Sequence, residues 1–465
     1  MRTGMLVLSL ALLASAGDAR ARSHGKRHGS HGHARPAMSE AEVRASLELL
    51  RGGDARLCTL AVDRLEQGNW NDRRPRLAGE DPPPALGRGP VKDPAALALL
   101  GDALADPKPC VRRAAARWLG DSPTPDALTR LTEGVRATSP AVREAAAFGL
   151  GIHAEGAGRD VLLTALRDGT PPVARAAAWA LGRSEDPRNT PPLQSALQHA
   201  DPEVRRAAAE ALATSEDPAA VEPLIARRQD ASAVVRAAVA EALGRIEDRR
   251  AVPALLAMAT DKGPEVRAAA LEALAALEDG RAFDVARGAL ADPVVDVRRA
   301  ALQTLASLED PRALPALSSA LSDVEPELRA DAARALGRLE DPKTALALSA
   351  ATKDAVPEVR VTAVEALGEL ESLGTAPPAL LEASRDAVAD VRVAAAESLR
   401  TFSRDEAAAR RLAALVQDAD RSVRRAAAES LVHVESPEAR AALRSALGDS
   451  DTAVRRAAAR GLGKN

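Results

Sequence analysis

The chain has 465 residues, a formal net charge of −3, no Tyr, and only three Trp and three Phe. Alanine, leucine and arginine dominate; these are helix formers, and a single compact core of this length would need many more rings to fill it. The composition therefore argues against one large globular core, and the acidic balance of the main body argues against a nucleic-acid binder.

Residues 1–16 read as a secretory signal peptide. Arg2 gives a positive start, residues 5–13 are a short apolar run, and Ala14, Ser15 and Ala16 form a small-x-small cleavage pattern. The run is well short of the roughly 20 residues of a membrane span. The mature protein is then exported, to a periplasm or outside the cell; the alternative is an apolar first helix of a cytosolic protein. No Cys follows the run, so a lipid anchor lacks its attachment residue.

Residues 17–38 form a His- and Arg-rich flexible linker. His24, His28, His31 and His33 sit among Gly, Lys, Arg and Ser, a setting that either gathers a soft divalent ion or is a solvated basic segment. With no fixed geometry, metal affinity would be modest. Residues 1–36 carry six basic side chains against Asp18, a local charge of +5, which leaves −8 on the rest.

Residues 39–66 read as a degenerate N-terminal capping repeat, on the spacing of Leu57, Leu60, Ala61 and Leu65. Residues 67–91 are rich in Pro, Gly and Arg, including Pro82, Pro83 and Pro84, and predict an irregular loop. The only two cysteines, Cys58 and Cys110, flank the same repeat landmark in neighbouring units. An oxidising compartment would let them pair; two small buried thiols are the alternative.

From residue 92 to 465 one pattern repeats. Its landmark, Val-Arg followed by alanines and Leu-Gly, has its first position at 111, 142, 173, 204, 235, 266, 297, 328, 359, 391, 423 and 454. A fixed period near 31 residues is the mark of a repeat array. In one unit, Asp310 and Pro311 open a first helix whose stripe is Leu314, Leu317 and Leu321. Asp323 and Pro326 mark the turn, and Leu328, Ala332, Ala335, Leu336 and Leu339 line the inward face of a second helix. Gly337, near its end, allows close backbone approach or a helix stop. Such hairpins cannot bury their apolar faces alone and must stack. The expected fold is an all-α solenoid of 12–13 helix hairpins, extending on the order of 100 Å.

An Asp five residues before the landmark recurs in ten units, broken at Ala137 and His199, and an Arg follows the landmark everywhere except at Ala174. Residues 92–465 resemble the HEAT repeat family, particularly the short bacterial type also found in phycobilin lyases. The resemblance implies that the Asp and Arg rows form a hydrogen-bonded ladder between units, weaker where the row breaks. It also implies that the second helices line a concave face.

Six residues after each landmark, that face should carry the variable side chains. Phe148 and Trp179 are neighbours there, with Trp118 one residue off the column in the preceding unit. They read as binding anchors or as core packing under residues 67–91. Glu210, Glu241 and Glu272 form one acidic row, and Glu365, Glu397 and Glu429 a second. They suit a basic segment, or form an ordinary solvated face blunted by Arg206 and Arg425 four residues before Glu210 and Glu429.

No phosphate loop, metal-ligand Cys pair or nucleophile elbow occurs, and the His-Glu dipeptides used by HEAT-like metal hydroxylases are missing. The expectation is a non-enzymatic scaffold without a cofactor that binds a protein or peptide. Metal sequestration or delivery through the His-rich segment is the alternative, and a chromophore lyase, suggested only by the resemblance, a distant third. The final unit lacks a distinct capping helix. Its flank could pair with a second copy, or be kept soluble by Arg455, Arg456, Arg460 and Lys464, so the oligomeric state stays open.

Overall fold

The computed structural model describes residues 37–54, 56, 58, 86, 89–153, 158–184 and 186–463. The expected signal peptide, the four tail histidines, nearly all of 67–91 and much of the expected cap's second half lie outside the described residues.

Stacked helix hairpins make up the fold, in the unit Pro311–Ala313, Leu314–Ala320, Pro326–Arg338 as in its neighbours. Leu317, Leu328, Ala332, Ala335 and Leu336 are buried as the stripes require, while Leu314, Leu321 and Leu339 are half-buried. The start of the first helix differs from expectation. Asp310 caps a single 3-10 turn, its side chain accepting from the Arg312 N–H at 2.9 Å, and the α-helix begins only at Leu314.

Second helices pack closely on the second helices before and after them, whereas first helices touch one another more sparsely. The tighter layer is the inner one, so the second helices line the concave side. Small residues set that spacing: a Cβ on Gly337 would stand 2.9 Å from Ala366 Cα, and one on Gly182 2.7 Å from Ala211 Cα. Five consecutive units then leave the inner helix through a glutamate at positive φ, Glu216, Glu247, Glu278, Glu309 and Glu340, at 47–56°. This is a left-handed exit that usually takes glycine.

The Asp and Arg rows join successive units. Arg267 Nε and one terminal nitrogen donate to the two oxygens of Asp292 at 2.8 and 2.9 Å, and its other nitrogen donates to the Asp261 carbonyl. Asp292 Oδ1 in turn accepts from the Val294 N–H, closing its own turn. The same bidentate pair joins Arg143 to Asp168, Arg236 to Asp261, Arg329 to Asp354 and Arg424 to Asp449. At the two breaks no such rung forms. Among the described residues, Ala137 leaves Arg112 with carbonyl acceptors alone. Ala174 and His199 are lost together, and His199 Nδ1 takes over the turn bond from the Asp201 N–H.

At the N-terminal end, Glu40–Gly52 packs on Pro94–Ala103 and supplies Arg51, whose Nε donates to Asp106 at 2.7 Å. This helix thus provides the rung arginine that a preceding repeat would provide. Cys58 and Cys110 are disulfide-bonded, with Cα atoms 5.9 Å apart. Met38 corrects the boundary of the expected linker: it is buried and bridges to Val91, its N–H donating to the Pro90 carbonyl at 3.2 Å. Buried apolar side chains are worth far more there than in a solvated tail.

Candidate functional site

The inner helices Pro140–Ile152 and Pro171–Arg183 are set side by side by the seam just described, which brings Phe148 and Trp179 together. The rings stack with centroids 4.9 Å apart and planes inclined by 17°. Both remain half-exposed on the concave face. Gly151 makes room for them, since a Cβ there would lie 2.6 Å from the Trp179 ring.

Trp118 does not join them. It is 2% exposed and belongs to the core, which corrects its assignment to the binding face. One residue on from the outward column turns a helical side chain by about 100°. In later units the corresponding residues, Ala180 and Ala211, lie against the end of the preceding inner helix. Trp118 occupies this seam column in the first regular unit.

Around the stacked pair the structure adds a ring of charge. A concave cavity of about 560 Å³ is lined by six arginines against two glutamates, Glu144 and Glu210. The Arg113 guanidinium lies 4.4 Å from the Phe148 centroid and that of Arg183 5.3 Å from the Trp179 centroid, both within cation–π range. Arg183 Nε donates to the Gly151 carbonyl, and Arg175 meets Glu144 only at 3.6 Å. Arg117 is held by Asp121 at 2.9 Å. The positive rim was legible in principle: Arg113 and Arg175 stand two residues after their landmarks and Arg183 ten after its own, columns on the same helix face as Phe148 and Trp179. Reading only one column hid it.

Farther along, the glutamates divide by their neighbours. Glu210 and Glu429 are ion-paired with Arg206 and Arg425, as their spacing implied. Glu241, Glu272, Glu365 and Glu397 are exposed and make no ion pair among the described residues. Their side chains keep solvent contact, yet enclosure by the concave wall removes enough water to raise Glu241 above the ordinary carboxylate range. The Glu210 and Glu272 charges add to it. Enclosure, then Asp296, raises Glu272, and enclosure also raises Glu365 against the opposing pull of Arg334. A second concave cavity, of about 520 Å³, lies between Glu397, Glu429, His433 and Arg460. Among the described residues no three His, Cys, Asp or Glu side chains converge as a metal set, and His24, His28, His31 and His33 are outside them. No described helix is long and apolar enough to cross a membrane.

The model of HEAT repeats matches residues 85–151, 159–232, 221–306, 254–323, 287–368, 314–400 and 408–465. The chain belongs to the HEAT repeat family. Its HEAT solenoid is similar to Kap95p in a structure with RanGDP: 16% identity, a TM-score of 0.58, and coverage of 92% of this chain and 73% of that chain. Shorter HEAT structures also align. The Escherichia coli protein YibA is 23% identical, with a TM-score of 0.42, over 52% of this chain and 92% of its own. The phycocyanin lyase complex CpcE–CpcF of a Nostoc species is 23% identical, with a TM-score of 0.33, over 53% of this chain and 94% of that chain. At these identities the likeness is one of fold. No curated protein matches the HEAT array.

Proposed function

We propose that this HEAT solenoid is a non-catalytic, exported scaffold that holds another protein along its concave face. The observation that carries the reading is the Phe148–Trp179 stack, kept half-exposed on the inner wall where burial was available one residue away. Aromatic side chains in a concave setting are favoured anchors for a partner, offering large apolar area with few rotors to freeze. The four unpaired glutamates farther along extend the contact surface. Export is supported by the signal-peptide pattern of residues 1–16 and by the Cys58–Cys110 pair, which suits an oxidising compartment.

The test is affinity capture from the exported fraction of the source cell. Residues 17–465 serve as bait beside the same chain carrying Phe148→Ala and Trp179→Ala. A protein held by the first bait and released by the second is the expected result. A partner set unchanged by the double substitution would remove the stack from the binding face.

A further inference from the structure

We propose that the N-terminal third of the concave face is built for an acidic segment of a partner protein that carries an apolar or aromatic anchor, not for a basic one. The inference rests on the scaffold reading and adds the chemistry of what is held.

Two observations assign the sign. The first is the lining of the cavity, in which arginines outnumber glutamates three to one and come from three inner helices, Pro109–Asp121, Pro171–Arg183 and Pro202–Thr214. The second is the state of those arginines. Arg183 has only the Gly151 carbonyl as a hydrogen-bond acceptor, and Arg112 only the carbonyls of Asp106 and Pro107, among the described residues. Arg112 is the rung arginine whose carboxylate Ala137 removes. The break in the Asp row therefore leaves a guanidinium at the cavity with its fork towards no carboxylate among the described residues. Arg175 shares Glu144 loosely, at 3.6 Å. Arginine forks match carboxylates bidentately, so several acceptor-seeking guanidinia beside an apolar platform recognise an acidic side chain next to an apolar one.

The stacking geometry favours a peptide over a nucleic acid. Phe148 and Trp179 cover each other, and Arg113 lies over the Phe148 ring with Arg183 over the Trp179 ring. Each ring is thus shared with the other ring and with a guanidinium, which competes with a base for the ring faces, whereas base stacking carries single-strand binding. The remaining ring edges and the aliphatic stems of the arginines offer an apolar lining for one side chain. The chain's own N-terminal segment, at +4 over residues 17–36, is excluded by sign.

The proposal is tested by fluorescence anisotropy on residues 17–465. The labelled nonapeptide probes are alternating Glu and Ser around a central Phe, the same with Lys for Glu, and the Glu peptide with Ser for Phe. A labelled oligothymidine of nine nucleotides is run alongside. The acidic Phe peptide is expected to bind at least tenfold more tightly than the other three probes, with affinity falling as salt rises. Arg113→Glu with Arg175→Glu should cost at least tenfold. Both side chains are solvent-accessible, and a melting curve close to that of the parent shows that the fold is kept. Phe148→Leu should cost severalfold. Tighter binding of the Lys peptide or of the oligonucleotide overturns the assignment, and so does absence of acidic-peptide binding. The capture experiment above judges the scaffold reading separately, since a partner lost from the aromatic double variant upholds it whatever the peptides do.

Discussion

The aspartates of the inter-unit ladder tie this protein's stability to pH. The Arg143 hydrogen bond lowers the Asp168 carboxyl below the ordinary range, outweighing burial, and Arg329 and Arg424 act likewise on Asp354 and Asp449. At Asp261 and Asp292 burial is the largest influence and pushes upward. The guanidinium and backbone N–H bonds together overcome it. Carboxyls lowered in the fold stabilise it fully above their unfolded value, about 3.9, and lose that contribution as pH falls through the folded values. The solenoid is therefore expected to lose melting temperature steeply below about pH 4. Arg267→Ala should destabilise by about 2 kcal/mol at pH 7, between the worth of an exposed and a buried pair, because its side chain and that of Asp292 are 16% and 11% exposed. Melting curves between pH 2.5 and 7 check both, and the variant's deficit should shrink towards the acid end. A deficit independent of pH would assign the loss to packing instead.

At the scale of the helix, the hairpin unit was legible because its determinants are local: a capping Asp, a Pro in the first turn, apolar residues at i, i+3 and i+7. The 3-10 opening of the first helices and the glutamates at positive φ were not, since neither Arg312 nor Glu309 carries a residue-level signal for its backbone. Trp118 was misplaced because a helix face is about 100° per residue wide and one position separates wall from seam. Seam chemistry also explains a local irregularity. Three residues after the landmark, buried alanines such as Ala238, Ala269 and Ala300 face the neighbouring unit, but Asp331 holds that place in its own unit. Asp331 engages Arg334 at 2.6 Å and approaches Arg299 across the seam at 4.0 Å. Here the inner helices Val295–Ser307 and Pro326–Arg338 approach less closely than any other consecutive pair. Asp331→Ala is expected to close the seam and slow amide exchange in Pro326–Arg338 severalfold; unchanged or faster exchange would show that the aspartate does not hold it open.

For the whole molecule, the one-dimensional architecture followed from the 31-residue period, while the division of its concave face by charge emerged only when neighbouring columns were brought together. Arginines gather around Phe148 and Trp179 at one end, and unpaired glutamates occupy the wall beyond. A partner segment of mixed sign would be oriented by that division, its acidic end towards the N-terminal units. Area on such a face does not by itself give affinity, and the rigid aromatic pair is where the binding energy should concentrate. The most direct measurement is hydrogen–deuterium exchange of residues 17–465 with and without the captured partner. Protection confined to the inner helices, strongest in Pro140–Ile152 and Pro171–Arg183, is expected. Protection of the outer helices Pro125–Gly134 and Arg159–Ala165, with the inner pair unchanged, would contradict a concave binding face.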